Sequence, residues 1–204
     1  MSDLDSDRLR SYHGLIDDFI KSRGNDRVLI KDQINREYSV DTVILVLDMC
    51  GFSLTTQTKG IVFYLSMVRR MQNLCREFLP KYDGSVVKFE ADNLFARFAN
   101  VDDAIQFALA VRTGFDAQNT MTFDGADIHV CIGIAAGEVL MIERNDVWGE
   151  AVNTACALGE DCAEADEILV DADAFAKVDN PDRYSSTRHD VKKGSLTLHS
   201  IKID

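Results

Sequence analysis

Residues 43–47, Val-Ile-Leu-Val-Leu, run without a break into Asp48, and Gly51 follows three positions later. Five consecutive apolar residues, β-branched or leucine and bounded by turn chemistry, read as a buried strand. A buried strand that stops on an acid sets a carboxylate at the rim of a sheet, where ligands are held. Gly51-Phe52-Ser53 then forms a loop whose backbone amides can face an anion before a helix begins.

The rest of the chain supplies partners for that strand. Leu9, Tyr12, Leu15, Ile16, Phe19 and Ile20 fall at helical spacing, so residues 5–22 are expected as an amphipathic helix. Residues 23–38 are polar and charged and read as a connector. A long helix is expected over 60–78, then a hairpin from 85–89 and 93–98 with Glu-Ala-Asp between the runs. Further expectations are a helix over 104–111, strands over 128–135 and 139–142, a helix over 151–164 and a strand over 167–170. This order predicts an α+β, ferredoxin-like layer: helices on one face of a mostly antiparallel sheet.

With 204 residues and 46% apolar content the chain can bury one substantial core, and two prolines leave no obvious linker. The net charge of −12 argues against a nucleic acid polymer, because no basic cluster is present to displace counterions. A local phosphate site remains possible if metal ions supply positive charge. The cysteines at 50, 75, 131, 156 and 162 form no Cys-x-x-Cys pair and read as reduced cytoplasmic thiols. No apolar run is long enough to predict a membrane span.

Asp92 sits at the turn of the hairpin. If the 43–48 strand is central and the hairpin lies beside it, Asp48 and Asp92 share one end of the sheet. Paired acids there suit a hard divalent cation, and magnesium borrows further ligands from substrate phosphates. Taken alone, Asp92 reads first as a turn cap, as aspartate often is. Lys88 precedes it by four positions, and Asp146-Val-Trp-Gly-Glu-Ala-Val-Asn153 opens the last long helix. The histidines at 13, 129, 189 and 199 are too scattered for a metal site, Trp148 reads as a packing residue beside a dimer interface rather than a stacking platform, and the acid-rich 159–167 reads as a solvated helix end.

Asp48-Met-Cys-Gly-Phe-Ser53, Lys88-x-x-x-Asp92 and Asp146-x-Trp-Gly-x-x-Val-Asn153 stand in this order on a strand, a hairpin and a helix start. Together they resemble the class III nucleotidyl cyclase catalytic domain, the adenylyl and guanylyl cyclases, over about residues 40 to 203. The resemblance implies a catalytic domain over 40–204 preceded by an N-terminal helix and connector over 1–39. It implies two magnesium or manganese ions per site, held by Asp48, Asp92 and the backbone carbonyl of Met49. Amides of Gly51, Phe52 and Ser53 would cradle the triphosphate, and Asn153 would orient the ribose. Lys88 and Asp146 would read the purine, a donor and an acceptor suited to the N1 and 6-amino edge of adenine. The implied reaction turns ATP into cyclic AMP and pyrophosphate at a homodimer interface, in the cytoplasm and off the membrane. Metal ligands would come from one protomer and purine contacts from the other, with Lys88 and Asp146 meeting across that interface.

Three departures stand out. The family places an arginine four residues after the helix asparagine; here the position is Ala157. A lysine near the last strand contacts phosphate in the family; Lys192 and Lys193 are the candidates, although a gapless match puts Val191 there. The hairpin turn is usually Gly-Asp, and here it is Ala91-Asp92, as in a bacterial subgroup that also reads Glu-Ala-Asp-Asn. The alternatives are a degenerate cyclase-homology module that binds nucleotide or only dimerises, and a receiver domain phosphorylated on Asp48, which the central hairpin contradicts.

Overall fold

A computed structural model describes residues 11–122, 126–142, 146–193 and 196–204. Ser39–Met49 forms β1, and its pairing on both edges makes it the centre of the sheet. Ile44, Leu45, Val46 and Leu47 are fully buried, as the apolar run requires. The hairpin β2 (Ser85–Glu90) and β3 (Asn93–Phe98) docks on one side of β1 through β3. On the other side lies β4 (Val130–Ile142), antiparallel to β1 along its whole length. A short β5 (Asp146–Trp148) folds back onto the end of β4. The sheet continues through β6 (Ile168–Asp171), β8 (Leu196–Ile203) and the edge strand β7 (Ser186–Lys193), in the order β2-β3-β1-β4-β6-β8-β7. Only β4 and β6 pair in parallel among the described strands.

The helices before β1 are α1 (Tyr12–Lys21) and α2 (Gly24–Tyr38). Residues 23–38, expected as a connector, are therefore mostly helical. Ile34 alone is buried in α2, so its sequence carries almost no apolar stripe to betray it. Residues 5–10 of the expected first helix lie outside the described residues. After β1 come α3 (Phe52–Lys59) and α4 (Ile61–Phe78), and α5 (Val101–Asn119) follows the hairpin. The helix expected from Gly60 thus has a predecessor that begins directly after Gly51. Gly60 separates the two at φ 84°, a left-handed value that glycine adopts at no steric cost.

The expectation of helices on one face holds for α4 and α5. Met67, Met71, Phe107 and Val111 pack with Leu45 and Leu47 on that side. On the opposite face lies α6 (Glu150–Cys156), whose Val152 and Ala155 cluster with Ile44 and Val46. β1 is covered on both sides, which accounts for its unalternating sequence.

Two further expectations change. The strands read as 128–135 and 139–142 are one strand, β4: Ala136-Gly137-Glu138 looks like a break, yet its backbone keeps the ladder to Thr42, Val43 and Asp41. The helix expected over 151–164 stays α-helical only to Cys156 and widens to a π-helix over Ala157–Cys162. That turn is pressed against the sheet. A Cβ on Gly133 would lie 2.1 Å from the Ala155 carbonyl oxygen, so only glycine allows the approach. A four-residue helix, α7 (Ala172–Phe175), precedes the last hairpin.

Candidate active site

The end of β1 delivers Asp48 beside the hairpin turn. Leu47 pairs with Leu94, so Asp48 lies opposite Asn93 and next to Asp92. Burial, then the carboxylates of Asp92 and Glu160, push the Asp48 carboxyl up to about 6, against the lowering pull of the Met49 amide. This is a carboxylate short of positive charge. A divalent cation would relieve both the burial and the repulsion, so the donor set suits a hard, oxygen-loving metal. Asp48 and Asp92 with backbone oxygen could share it; among the described residues no three His, Cys, Asp or Glu side chains form a larger metal-holding group.

Tyr64, buried on α4, donates its hydroxyl to Asp92 Oδ2 at 2.6 Å. Burial and that bond to a carboxylate hold the phenol well above its ordinary range. Tyr64 therefore stays protonated and orients Asp92. Its sequence signal was one aromatic at helical spacing, indistinguishable from core.

Glu160 was also hidden, within a segment read as a solvated helix end. The π-helix carries it to the sheet, where it accepts from Asn93 Nδ2 at 3.0 Å. Glu160 itself remains exposed, whereas Glu167 in the same segment is buried and pairs with Lys202 at 2.6 Å.

In the metal-free protein the Asp48 carboxyl holds its proton more tightly folded, at about 6, than unfolded, at ~3.9. The folded state then binds the extra proton between those values, so stability falls as pH rises from ~4 to ~6. Urea midpoints measured across that window should decline, and Asp48→Asn should flatten the decline. An unchanged slope in the variant would remove this account of Asp48.

At the hairpin turn Ala91 takes φ 52°. The left-handed region costs alanine ~1–2 kcal/mol, and glycine's extra freedom when unfolded returns ~0.5–1 kcal/mol of that. Ala91→Gly should therefore stabilise the chain by about 0.5–1 kcal/mol in a denaturant titration.

Gly51, at φ 89°, turns the chain from β1 into α3. The first amides of α3 are those of Phe52, Ser53 and Leu54, a natural anion cradle at a helix start. The side chains of Phe52 and Ser53 lie outside the described residues.

A second group of residues gathers around a cleft that neither Asp48 nor Asp92 lines. Lys88 on β2 donates to Asp146 Oδ1 at 3.0 Å and pairs with Glu90 at 2.9 Å. The Lys88–Asp146 contact therefore forms within one chain, because β5 folds back on β4 toward β2; no second protomer is needed to bring the two together. Burial pulls the lysine down, but the bonds to Glu90 and Asp146 outweigh it and hold its pKa above the usual range. Burial raises Asp146, and the bonds from Lys88 and the Val147 amide outweigh that and hold it low. Both groups are thus charged at neutral pH. They line an open cleft of about 720 Å³ with Glu90, Ile142, Trp148 and, from α1, Tyr12 and His13. Trp148 is 59% exposed and donates its indole N–H to Asp146 Oδ2 at 3.0 Å, so it is not a packing residue within the chain.

Asn153 is exposed on α6, and Ala157 follows one turn later, its amide bonded to the Asn153 carbonyl. Lys192 and Lys193 stand on the edge strand β7, with β8, β6 and β4 between them and β1. The structure does not bring that strand to Asp48 of the same chain. The lysine side chains lie outside the described residues.

The model for the adenylate and guanylate cyclase catalytic domain matches residues 37–199. The chain belongs to this family. Class III cyclase domains generally bind nucleotide, act as dimers and use divalent metal ions.

Among solved structures, the adenylate/guanylate cyclase/hydrolase from Silicibacter pomeroyi is 25% identical, with a TM-score of 0.64 over 81% of this chain and 96% of that one. A bacterial light-regulated adenylyl cyclase is 19% identical, TM-score 0.68, over 81% and 91%. The guanylate cyclase domain of RhGC from Catenaria anguillulae, in complex with GTP, is 16% identical, TM-score 0.67, over 82% and 96%. No curated protein sequence matches the chain. The cyclase domain keeps the expected mostly antiparallel α+β fold, and none of its described helices is long and apolar enough to cross a membrane.

Proposed function

We propose that this cyclase domain is an adenylyl cyclase, converting ATP to 3′,5′-cyclic AMP and pyrophosphate. The observation that carries the reading is the Lys88–Asp146 pair, charged and facing an open cleft. A lysine donor and a carboxylate acceptor match the N1 and 6-amino edge of adenine. Guanine presents the opposite pattern at those positions.

Asp48 and Asp92, with the Met49 carbonyl, would hold two magnesium or manganese ions, and Tyr64 keeps Asp92 in position. When bound, such ions lower the pKa of a ribose hydroxyl and neutralise phosphate charge. The amides after Gly51 would receive the triphosphate at the start of α3. Asn153 would hold the ribose so that its 3′-oxygen lies in line with the leaving pyrophosphate, and Lys192 would contact phosphate from β7.

The acids and the purine cleft share no lining residue. Each chain would therefore carry two half-sites, completed in a homodimer with two equivalent shared sites. Exposed apolar side chains, among them Leu54, Ile61, Val62 and Leu65 on α3 and α4, favour such an association. Residues 40–204 would form the catalytic unit and 1–39 an accessory helical segment. Five cysteines without a disulfide suit the reducing cytoplasm.

The test is an assay of purified protein with ATP and GTP, each with magnesium or manganese, reading cyclic product and pyrophosphate. Preferential use of GTP by the natural chain would refute the adenine assignment. Replacing Lys88→Glu together with Asp146→Cys should lower kcat/KM for ATP on the order of 100-fold and admit some GTP, since buried purine contacts are left unpaired. A fully active monomer at micromolar concentration would contradict the shared site.

A second reading rests on Ala157. A chain lacking the transition-state arginine could be a degenerate module that binds nucleotide or dimerises without catalysis. Absence of cyclic product with both metals and both nucleotides, despite nucleotide binding, would favour it.

A further inference from the structure

Cys50 and Cys131 lie on the α6 face of the sheet, the face that Asp48 shares. Cys131 is the cross-strand partner of Asp48, and the Cys50 amide donates to the His129 carbonyl at 2.9 Å. The two thiols are therefore diagonal neighbours across the β1–β4 ladder, and their Sγ atoms stand 2.8 Å apart. Both are free thiols, Cys131 7% exposed and Cys50 half-buried at the rim. A disulfide needs sulfurs at ~2.05 Å, so closure asks for less than about 1 Å of movement.

We propose that Cys50 and Cys131 form an oxidation site for hydroperoxides, and that the resulting disulfide pins the turn between β1 and α3. The inference is independent of which nucleotide the site takes. Cys50, the more accessible sulfur, attacks a peroxide oxygen; the O–O bond breaks, an S–O bond forms, and hydrogen peroxide releases one water. The Cys131 sulfur then attacks the sulfenic sulfur of Cys50, the S–O bond breaks, and a second water leaves as the S–S bond forms. The two thiols lose two electrons and two protons in all, and the peroxide takes them up as it becomes two waters.

The place of the bond gives it its consequence. Cys50 stands between Asp48 and Gly51, where the backbone must turn at φ 89° to start α3. Tying Cys50 to β4 fastens that turn to the most extensively paired part of the sheet. The carboxylate of Asp48 and the first amides of α3 then lose the freedom to adjust to a bound ligand. Cys75 is buried on α4, and Cys156 and Cys162 belong to α6 and the π-helix, so a bond elsewhere would leave the turn untouched.

The test treats the full chain with hydrogen peroxide and maps disulfides by peptide mass before and after dithiothreitol. Hydrogen exchange is followed over residues 49–56 in parallel. The expected result is a reversible Cys50–Cys131 link, with exchange in that segment slowed at least several-fold. Cys131→Ser should abolish both changes while leaving the thermal midpoint and any nucleotide turnover near those of the natural chain. Where turnover is measurable, oxidation should lower it several-fold and dithiothreitol should restore it. A link mapped to other cysteines, or no link at all, overturns the proposal. A Cys50–Cys131 link with unaltered exchange overturns the pinned turn.

Discussion

Asp48→Ala and Asp92→Ala should each remove metal-dependent nucleotide turnover, by on the order of 10³-fold, because metal ions supply several kcal/mol of charge stabilisation in such reactions. The fold should survive. Asp48 stands at the end of β1 and Asp92 at a half-buried turn, so neither truncation opens a cavity in the core; Asp92→Ala does leave the buried Tyr64 hydroxyl without this acceptor, a cost of about 1–3 kcal/mol. Removing Asp48 also relieves a repulsion, since Asp92 and Glu160 both raise its pKa. Circular dichroism and thermal unfolding would confirm the fold, and turnover with magnesium and manganese would be read as cyclic product. Undiminished activity in either variant removes the two-metal assignment. Manganese should support more turnover than magnesium, which demands near-ideal octahedral geometry.

Ala157→Arg should move activity the other way. The Ala157 amide bonds to the Asn153 carbonyl, so the two residues stand one turn apart on one face of α6 before the π-helix widens. A guanidinium there would aim fixed positive charge at the transferring phosphoryl group, where charge develops. Arginines in comparable roles are worth ~10³–10⁵ in rate. A grafted one, without its supporting contacts, should still raise kcat by about tenfold or more. KM should shift little, because the gain belongs to the transition state. The competing account gives that space to Lys192 or Lys193 of a partner's edge strand. Under it, Ala157→Arg is neutral or harmful and Lys192→Ala or Lys193→Ala is the damaging change. If none of the three alters turnover and the natural chain makes no cyclic product, the degenerate module is the better account.

Elements whose own side chains carry a period were legible. β1 announced itself as an apolar run, the hairpin as two runs around Glu-Ala-Asp, and α4 as a stripe of Ile61, Leu65, Val68, Met71, Leu74, Cys75 and Phe78, of which Ile61 and Leu65 are exposed in the fold. α2 was not, since only Ile34 is buried and its charged surface looks like a connector. β4 was read as two strands because Ala136-Gly137 breaks the local pattern. Pairing with β1 overrides that break. Tyr64 and Glu160 stayed hidden for a related reason: an aromatic on a helix and an acid in an acidic stretch acquire a role only from what lies across from them.

The order of the motifs determined by itself that an acid ends a buried strand, that a second acid tips a hairpin, and that a lysine and an aspartate lie 58 positions apart in the chain. The resemblance to the cyclase family, set beside those motifs, implied what is missing, an arginine at Ala157 and a glycine at Ala91. Tertiary structure alone decided that Lys88 and Asp146 meet within one chain, that Cys50 and Cys131 touch, and that the helix end widens to bring Glu160 near Asp48. The physical reason is range. Side-chain periodicity and turn chemistry act over a few residues and can be read locally. Strand register, and the close approach that Gly133 and Gly159 permit, join residues far apart in sequence, and such contacts hold the Asp48 carboxyl up and the Asp146 carboxyl down.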